Sequence, residues 1–288
     1  MSSLSPFVFL PMCGSADQPQ VSLDAKYDAL RTVLRKMGSV VIGFSGGADS
    51  ALLVKVAYDE LGDGALALIA VSESYPKRER DEAVALALEM GIPLITVETG
   101  ELANERYASN PVDRCYYCKQ ELFVHLAKAA RDRGFRWVAY GANHDDLGDH
   151  RPGHKAANEC GARAPLLEVG LSKPEIRRLS KQLGLKTWDK PAMACLSSRF
   201  PYGTRITADL LARLDAAEDY LRHDLAFRQV RVRHHDAIAR LEVALDEMPR
   251  LLDPDLRTQI SHKLKSLGYT FVAVELTGYQ SGSLNAAI

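Results

Sequence analysis

The 288-residue sequence predicts an α/β protein, a doubly wound parallel sheet followed by a smaller C-terminal α+β domain. Three observations carry this. From residue 39 to about 143, short apolar runs alternate with stretches of helical periodicity. The first apolar run breaks into a glycine- and serine-rich loop that opens a helix. Beyond residue 204 the order changes to helix, two adjacent strands, helix and strand. The chain divides into a flexible tail (1–24), a sheet domain (25–191), a cysteine-containing linker (192–203) and the α+β domain (204–288).

The elements follow in order. "SVVIGF" and "GALALIAVS" (64–72) read as buried strands, and Leu52, Leu53, Val56, Ala57 and Leu61 give the helix between them one apolar face. "KRERDEAVALALEMG" (77–91) is an amphipathic helix stopped by Gly91 and followed by the strand "PLITVE". A helix over 119–133 and the strand "FRWVAYGAN" (135–143) complete the alternation. In "LSKPEIRRLSKQLGLKTWDKP" (171–191), Ser172 caps a helix, Pro174 suits its first turn, Glu175 completes a capping box and Gly184 ends it. The C-terminal part reads as a helix, the strands "RQVRVRH" and "AIARLEV", a helix over 254–267 and the strand "TFVAVEL".

Composition narrows the class. A net charge of −1 gives no overall basic field for nucleic acid, and no apolar run reaches membrane-spanning length. The N-terminal twenty residues lack a basic start, and Pro11 cuts their apolar stretch, so the sequence reads as cytoplasmic without a signal peptide.

Ligands of such sheets sit at the carboxyl ends of the strands, where Phe44, Ser72 and Asn143 fall. The loop "FSGGADS" adds glycines for close backbone approach and the free N–H groups of a helix start, a combination suited to phosphate. No lysine follows Gly47 until Lys55, which excludes a Walker loop, and the glycine spacing excludes a dinucleotide fingerprint. An ordinary strand-to-helix turn is the alternative. S-G-G-x-D-S after a strand resembles the pyrophosphate loop of ATP pyrophosphatases. Ser45, Gly46, Gly47 and Ser50 would then cradle the phosphates, and Asp49 would hold a Mg²⁺ ion bridging them, because a carboxylate beside phosphate needs a cation between.

With "ACLSSRFPYGTRIT" (194–207), "DHRPGHKA" and "RVRHHDAIARLE", the resemblance becomes specific: from about residue 25 onward the chain resembles the LarE family of ATP-dependent sulfur transferases. That resemblance implies an adenine nucleotide alpha hydrolase-like fold. It also implies adenylation of a carboxylate of pyridinium-3,5-biscarboxylic acid mononucleotide and its conversion to a thiocarboxylate in nickel-pincer nucleotide synthesis. By the same resemblance Cys195 is catalytic, Arg199, Lys119 and Ser198 meet phosphate or substrate, and Arg231 and Arg233 bind phosphate beside a divalent cation held by Glu218 and Glu242. The alternatives are surface charge for Arg199 and Lys119, and a salt-bridged strand face for Arg231 and Arg233. His234 and His235 read as surface histidines.

The cysteines bear on the sulfur source. Cys115 and Cys118 form "RCYYCK" just before a helix, and Cys195 lies in the linker. A redox pair and half a zinc site are open readings of C-x-x-C, as is persulfide transfer. The resemblance implies either a sacrificial Cys195 or, since the C-x-x-C is present, a [4Fe–4S] cluster on Cys115, Cys118 and Cys195 with one iron open to sulfide. Cys13 and Cys160 read as inert. "NHDDLGDH" (143–150) reads as a loop over nucleotide or substrate, with a metal site as the alternative. The expected ligands are ATP, a small nucleotide acceptor and a sulfur donor, in a homo-oligomer. The rivals are an enzyme acting on another acceptor, such as a tRNA base or an amidation substrate, and an iron–sulfur carrier without chemistry of its own.

Overall fold

Residues 21–148, 152–191, 194–280 and 282–283 are described in a computed structural model; residues 1–20 of the tail, with Cys13, and residues 149 and 150 of the 143–150 loop lie outside the described residues. The first element is a helix absent from the sequence reading, α1 (Leu23–Met37). Ser22 caps it by accepting a hydrogen bond from the Ala25 amide at 3.2 Å, and Leu30, Leu34 and Met37 recur at helical spacing on its buried side.

The first sheet alternates as its hydrophobic pattern predicts: β1 (Val40–Gly43), α2 (Ala48–Leu61), β2 (Ala65–Val71), α3 (Lys77–Glu89), β3 (Leu94–Glu98), the single turn α4 (Glu105–Ala108), α5 (Arg114–Arg133) and β4 (Trp137–Tyr140). Its order is β3-β2-β1-β4, with every pairing parallel. After β4 come α6 (Pro152–Glu159), the short α7 (Pro165–Glu168) and α8 (Lys173–Gln182), whose capping box between Ser172 and Glu175 forms as the sequence predicts. One face of the sheet packs Val40 and Ile42 against Leu30, Leu34, Leu52, Leu53 and Ile176. The other packs Val41 and Leu68 against Phe123, Leu126 and Ala156. Helices on both faces define the doubly wound class, and the reversal of strand order beside β1 opens a crevice between the carboxyl ends of β1 and β4.

The second unit contains α9 (Ala208–Asp219), the antiparallel pair β5 (Val230–His235) and β6 (Ile238–Val243), α10 (Pro254–Ser266) and β7 (Phe271–Val274), which lies parallel to β6. Its core joins Leu211, Leu214, Val232, Leu241 and Leu264 to Tyr107, Leu196 and Phe200. The half-buried Tyr117 and Cys118 pack on the same core, so the stretch from Tyr107 to Cys118 serves the second unit although the sequence division assigns it to the first. His234 corrects another expectation. It is buried, with its ring centroid 5.2 Å from that of Phe200 and 5.7 Å from that of Tyr269, because the core side of β5 reads Val230, Val232, His234.

Gly141, one residue past β4, sets the width of the crevice. A Cβ there would stand 3.0 Å from the Ser50 amide nitrogen and 3.2 Å from the Asp49 carbonyl carbon, in the first turn of α2. Gly141→Ala should therefore cost about 1–3 kcal/mol in a urea melt, as overpacking does, and weaken nucleotide binding by calorimetric titration; unchanged stability and affinity would show that this close approach is not needed.

Candidate active site

The loop between β1 and α2 is shaped by its own hydroxyls. The Ser45 amide donates to Ser50 Oγ at 3.2 Å, the two serine hydroxyls lie 3.1 Å apart, and Ser50 Oγ donates to the Gly47 carbonyl at 3.2 Å. Gly46 has φ +64°, and a Cβ on it would come within 2.6 Å of Ala83 Cβ on α3. The first-turn amides of α2 have no intrahelical acceptors and face outward from the strand end, which suits an anion. Phe44 contributes backbone alone at this edge, since its side chain is buried in the first core.

Asp49 opens α2, and one of its oxygens accepts an ion-paired hydrogen bond from Lys173 Nζ in the first turn of α8. Its other oxygen, Oδ1, is buried and without a hydrogen-bond partner among the described residues. A carboxylate oxygen left unsatisfied beside an anion cradle fits a hard divalent cation. Lys173 was not singled out in the sequence; its signal was position, directly after the Ser172 cap.

The cysteine loop docks on the same edge. Ser72 at the end of β2 shares a 2.9 Å hydroxyl contact with Ser74, and the Ser74 carbonyl accepts from the Leu196 amide at 2.8 Å. Cys195 thus lies beside the ends of the sheet strands. Cys115 and Cys118 belong to the first two turns of α5, which begins five residues earlier than the sequence indicates. Cys115 is exposed as a residue, yet desolvation of its thiol by the surrounding protein first and the neighbouring Cys195 second push its pKa up; burial chiefly raises that of Cys118, with Glu101, Cys195 and Cys115 adding to it. All three thiols therefore share one electrostatic neighbourhood. Cys118 Sγ donates to Glu101 Oε1 at 3.6 Å, and Glu101, itself buried, accepts from Thr99 Oγ1 at 3.0 Å. Among the described residues no three His, Cys, Asp or Glu side chains are grouped to hold a metal ion, so the cysteines are neighbours without being an assembled ligand set. Cys160 is exposed, one residue past the end of α6.

Buried arginines hold the loop from beneath. Arg199 is 1% exposed; its Nε and Nη2 donate to the two oxygens of Glu218, each at 2.8 Å. Its Nη1 donates to the carbonyls of Ala194 (2.9 Å) and Cys195 (3.0 Å) and to Ser198 Oγ (2.8 Å). Arg199 therefore positions the cysteine loop and does not face an open cleft. Arg233 reaches the same loop, donating to the Ser198 carbonyl at 2.7 Å and to Glu242 Oε2 at 2.7 Å. From the other side, Arg114 donates to the Ser197 carbonyl at 3.0 Å, and the Tyr107 and Ser197 hydroxyls meet at 2.5 Å.

Glu218 and Glu242, expected from the resemblance to hold a divalent cation, are here engaged by arginines. Glu218 is shared among Arg199, Arg222 and the Val232 amide, and Glu242 between Arg233 and Arg240. Guanidinium groups occupy the oxygens a divalent cation would need. Burial works against charge on Glu218, yet Arg199 first and Arg222 after it hold its pKa down to about 2. Arg231 lies on the same strand face, over the Tyr279 ring at 5.3 Å; burial and the nearby Arg199 push its pKa down to about 10. Lys119 sits beside the two thiols of α5, and α6 crosses it so closely that a Cβ on Gly153 would come within 2.8 Å of Lys119 Cγ.

The described part of the 143–150 loop forms a tight turn over His144–Gly148, tied to α8 where the Lys173 amide donates to Asp145 Oδ2 at 2.8 Å. Beside it lies a cavity of ≈480 Å³ lined by Tyr140, Asp146, His154, Asn158, Arg163 and Glu168. No helix among the described residues is long and apolar enough to cross a membrane.

A serine- and glycine-built anion loop at the switch point of a parallel sheet, with a cation-ready aspartate, defines the chain as a nucleotide-using enzyme of the pyrophosphate-loop class. Comparisons with known proteins agree and go further. Residues 22–147 match the NAD synthase family. An uncharacterised protein of Synechocystis sp. is 44% identical over 92% of this chain and 99% of its own length. The pyridinium-3,5-bisthiocarboxylic acid mononucleotide synthase of Lactiplantibacillus plantarum is 38% identical over 92% of this chain and 95% of its own. An uncharacterised protein of Methanocaldococcus jannaschii is 26% identical over 85% and 92%. The chain belongs to the LarE family, ATP-dependent sulfur transferases of the pyrophosphate-loop superfamily.

The Arg199–Glu218 pair yields a stability prediction. Arg199→Ala should destabilise the protein by about 3–5 kcal/mol, because it takes the main counter-charge from a buried carboxylate and leaves it only Arg222 and the Val232 amide. The folded pKa of Glu218 lies below its unfolded value, so its contribution is fully present above the ordinary carboxylate range and is lost as pH falls toward about 2. Acid melts followed by circular dichroism should show that Glu218→Gln removes this pH-dependent component; an unchanged acid limb in the variant would contradict it.

Proposed function

We propose that the protein adenylates a carboxylate of pyridinium-3,5-biscarboxylic acid mononucleotide with ATP and then exchanges the activated oxygen for sulfur. The observation that carries this reading is the docking of the Cys195 loop on the end of β2, through Leu196 and Ser74, at the same sheet edge as the anion loop. Activation and sulfur delivery then share one cleft, and a reactive acyl adenylate need not cross bulk water.

The loop amides and the hydroxyls of Ser45 and Ser50 would bind the β- and γ-phosphates, while Asp49 would hold Mg²⁺ through the oxygen that Lys173 leaves open. A carboxylate oxygen of the acceptor attacks the α-phosphorus, the bond to pyrophosphate breaks, and an acyl adenylate results. Sulfur then attacks the acyl carbon and AMP departs with the original carboxylate oxygen. A carboxylate resists nucleophiles, and adenylation supplies the leaving group. The acceptor's phosphate would lie near Arg231 and Arg233; Arg231, crowded by Arg199 and buried, would gain most from a second anion. The cavity beside the 143–148 turn has the volume of a small-ligand site and could hold part of the acceptor.

For the sulfur source the favoured reading is a [4Fe–4S] cluster on Cys115, Cys118 and Cys195. Three thiols in one electrostatic neighbourhood have the donor chemistry for it, and Cys118 would have to turn from Glu101 to join. When bound, such a cluster offers an iron with an open position for exogenous sulfide. The alternative is loss of Cys195 sulfur itself.

With ATP, Mg²⁺, sulfide and the biscarboxylate, pyrophosphate should be released and mass spectrometry should find the thiocarboxylate. Release elicited by tRNA alone would contradict the assignment. Asp49→Ala should lower acceptor-dependent release at least about 100-fold with an unchanged circular dichroism spectrum, since it removes transition-state charge stabilisation and no core packing. Anaerobically reconstituted protein should keep its mass through turnover; a chain about 34 Da lighter, having lost the elements of hydrogen sulfide, would instead mark Cys195 as the donor.

A further inference from the structure

A line of polar contacts runs from the anion loop to the cysteine loop through residues that the chemistry above does not use. Tyr75, between β2 and α3, donates from its hydroxyl to the Ser45 carbonyl at 3.0 Å, and the same hydroxyl lies 3.4 Å from the Glu79 carbonyl. Glu79, in the first turn of α3, accepts from Arg222 Nη1 at 3.3 Å and pairs with Lys190 Nζ at 2.8 Å. Arg222 Nη2 then donates to Glu218 Oε2 at 3.2 Å and to the Val230 carbonyl at 3.3 Å. Glu218 holds Arg199, which holds the carbonyls of Ala194 and Cys195.

Arg222 owes its place to a break in helix geometry. The single π-turn Tyr220–Asp224, closed by the Leu225 amide on the Tyr220 carbonyl at 3.1 Å, ends α9, and Arg222 bridges from it to both Glu218 and α3. Neighbouring contacts between the two units are weaker by nature. Arg78 and Asp219 pair at 2.8 Å, but both side chains are more than one-third exposed, where solvent removes most of the benefit. The Glu79 and Arg222 side chains are only 13% and 17% exposed. Burial alone would lower the pKa of Lys190, yet the carboxylates of Glu79 and Glu82 keep it raised, which marks Glu79 as a charged centre shared by α3, the turn that follows α9 and the segment just before the linker.

We propose that Glu79 and Arg222 are positioning residues for the sulfur-transfer step: their contact fixes the second unit against α3 and thereby sets the Cys195 loop relative to the anion loop. The inference rests on the proposed function for its consequence in catalysis, though the geometry it describes stands independently. Neither side chain need touch substrate. The ATP phosphates are held at α2 and its loop, where the acceptor carboxylate attacks, whereas thiolation requires in addition that the cysteine loop meet the intermediate formed there. Misplacement of about 1 Å can cost on the order of 10²-fold in rate.

Two measurements on the full-length protein test this, each on Glu79→Gln and Arg222→Gln, with Asp219→Asn as the exposed control. The first is peptide-resolved alkylation of Cys195 by iodoacetamide without acceptor, which does not depend on the reaction assigned. Both Gln variants should change its rate by at least about threefold and the control should not, as expected when a contact sets loop geometry; smaller changes in both variants overturn the proposal. The second compares acceptor-dependent pyrophosphate release with thiocarboxylate formed. At saturating acceptor, release should stay within about twofold of the parent while product per pyrophosphate falls at least about tenfold, and the double variant should be no worse than the poorer single, as for two residues acting as one unit. Equal loss of both steps, or product per pyrophosphate unchanged, overturns the positioning role. If the parent itself releases no pyrophosphate with the biscarboxylate, the proposed function fails, and the alkylation result alone decides this inference.

Discussion

The buried pair between Arg199 and Glu218 is the constraint on which the site depends. Two charges removed from water are costly, and the arrangement is stable only because each remaining donor and acceptor is used. Arg199 spends its other nitrogen on the carbonyls around Cys195; Glu218 takes the Val232 amide and Arg222. The ion pair therefore fixes the cysteine loop to α9 and β5 at once. Arg233 repeats the device, spanning the Ser198 carbonyl and Glu242. A loop with little regular structure gains a defined path from guanidinium groups beneath it.

The parallel sheet supplies the other half. Its order places β1 at the switch point, so the anion loop, the end of β4 and the loop after β2 converge. Gly46 and Gly141 let backbone approach where side chains would collide, and the Ser74–Leu196 hydrogen bond brings the sulfur-bearing loop to that edge. A loop suited to an anion and a loop carrying a thiol thereby share one edge of the sheet. Charge near the first site is carried by Asp49 and Lys173, and near the second by arginines paired with buried glutamates.

Much of this was legible in the sequence because local physics dictates it. The loop from Phe44 to Ser50 reads directly, since few other arrangements need those glycines and serines between a strand and a helix. The capping box at Ser172 and Glu175 and the strands of both sheets follow from side-chain periodicity. What could not be read depends on tertiary pairing. Glu218 and Glu242 look like cation ligands until arginines distant in sequence claim their oxygens. Arg199, beside a cysteine in a loop, reads as a surface or substrate-facing charge, yet it is buried beneath the loop. His234 looks exposed beside charged neighbours, but alternation along β5 turns it inward. The signal for α1 is also present in the sequence, with Leu23, Tyr27, Leu30, Leu34 and Met37 at helical spacing behind the Ser22 cap, and the helix packs on α2.

The central claim is that an acceptor carboxylate is activated by attack on the α-phosphorus of ATP before sulfur enters. Biscarboxylate labelled with ¹⁸O in its carboxylates tests this most directly, with the AMP formed in a thiolating reaction analysed by mass spectrometry. The account predicts one labelled oxygen in the phosphate of that AMP for each thiocarboxylate made. Unlabelled AMP, or ADP and phosphate in its place, would contradict it.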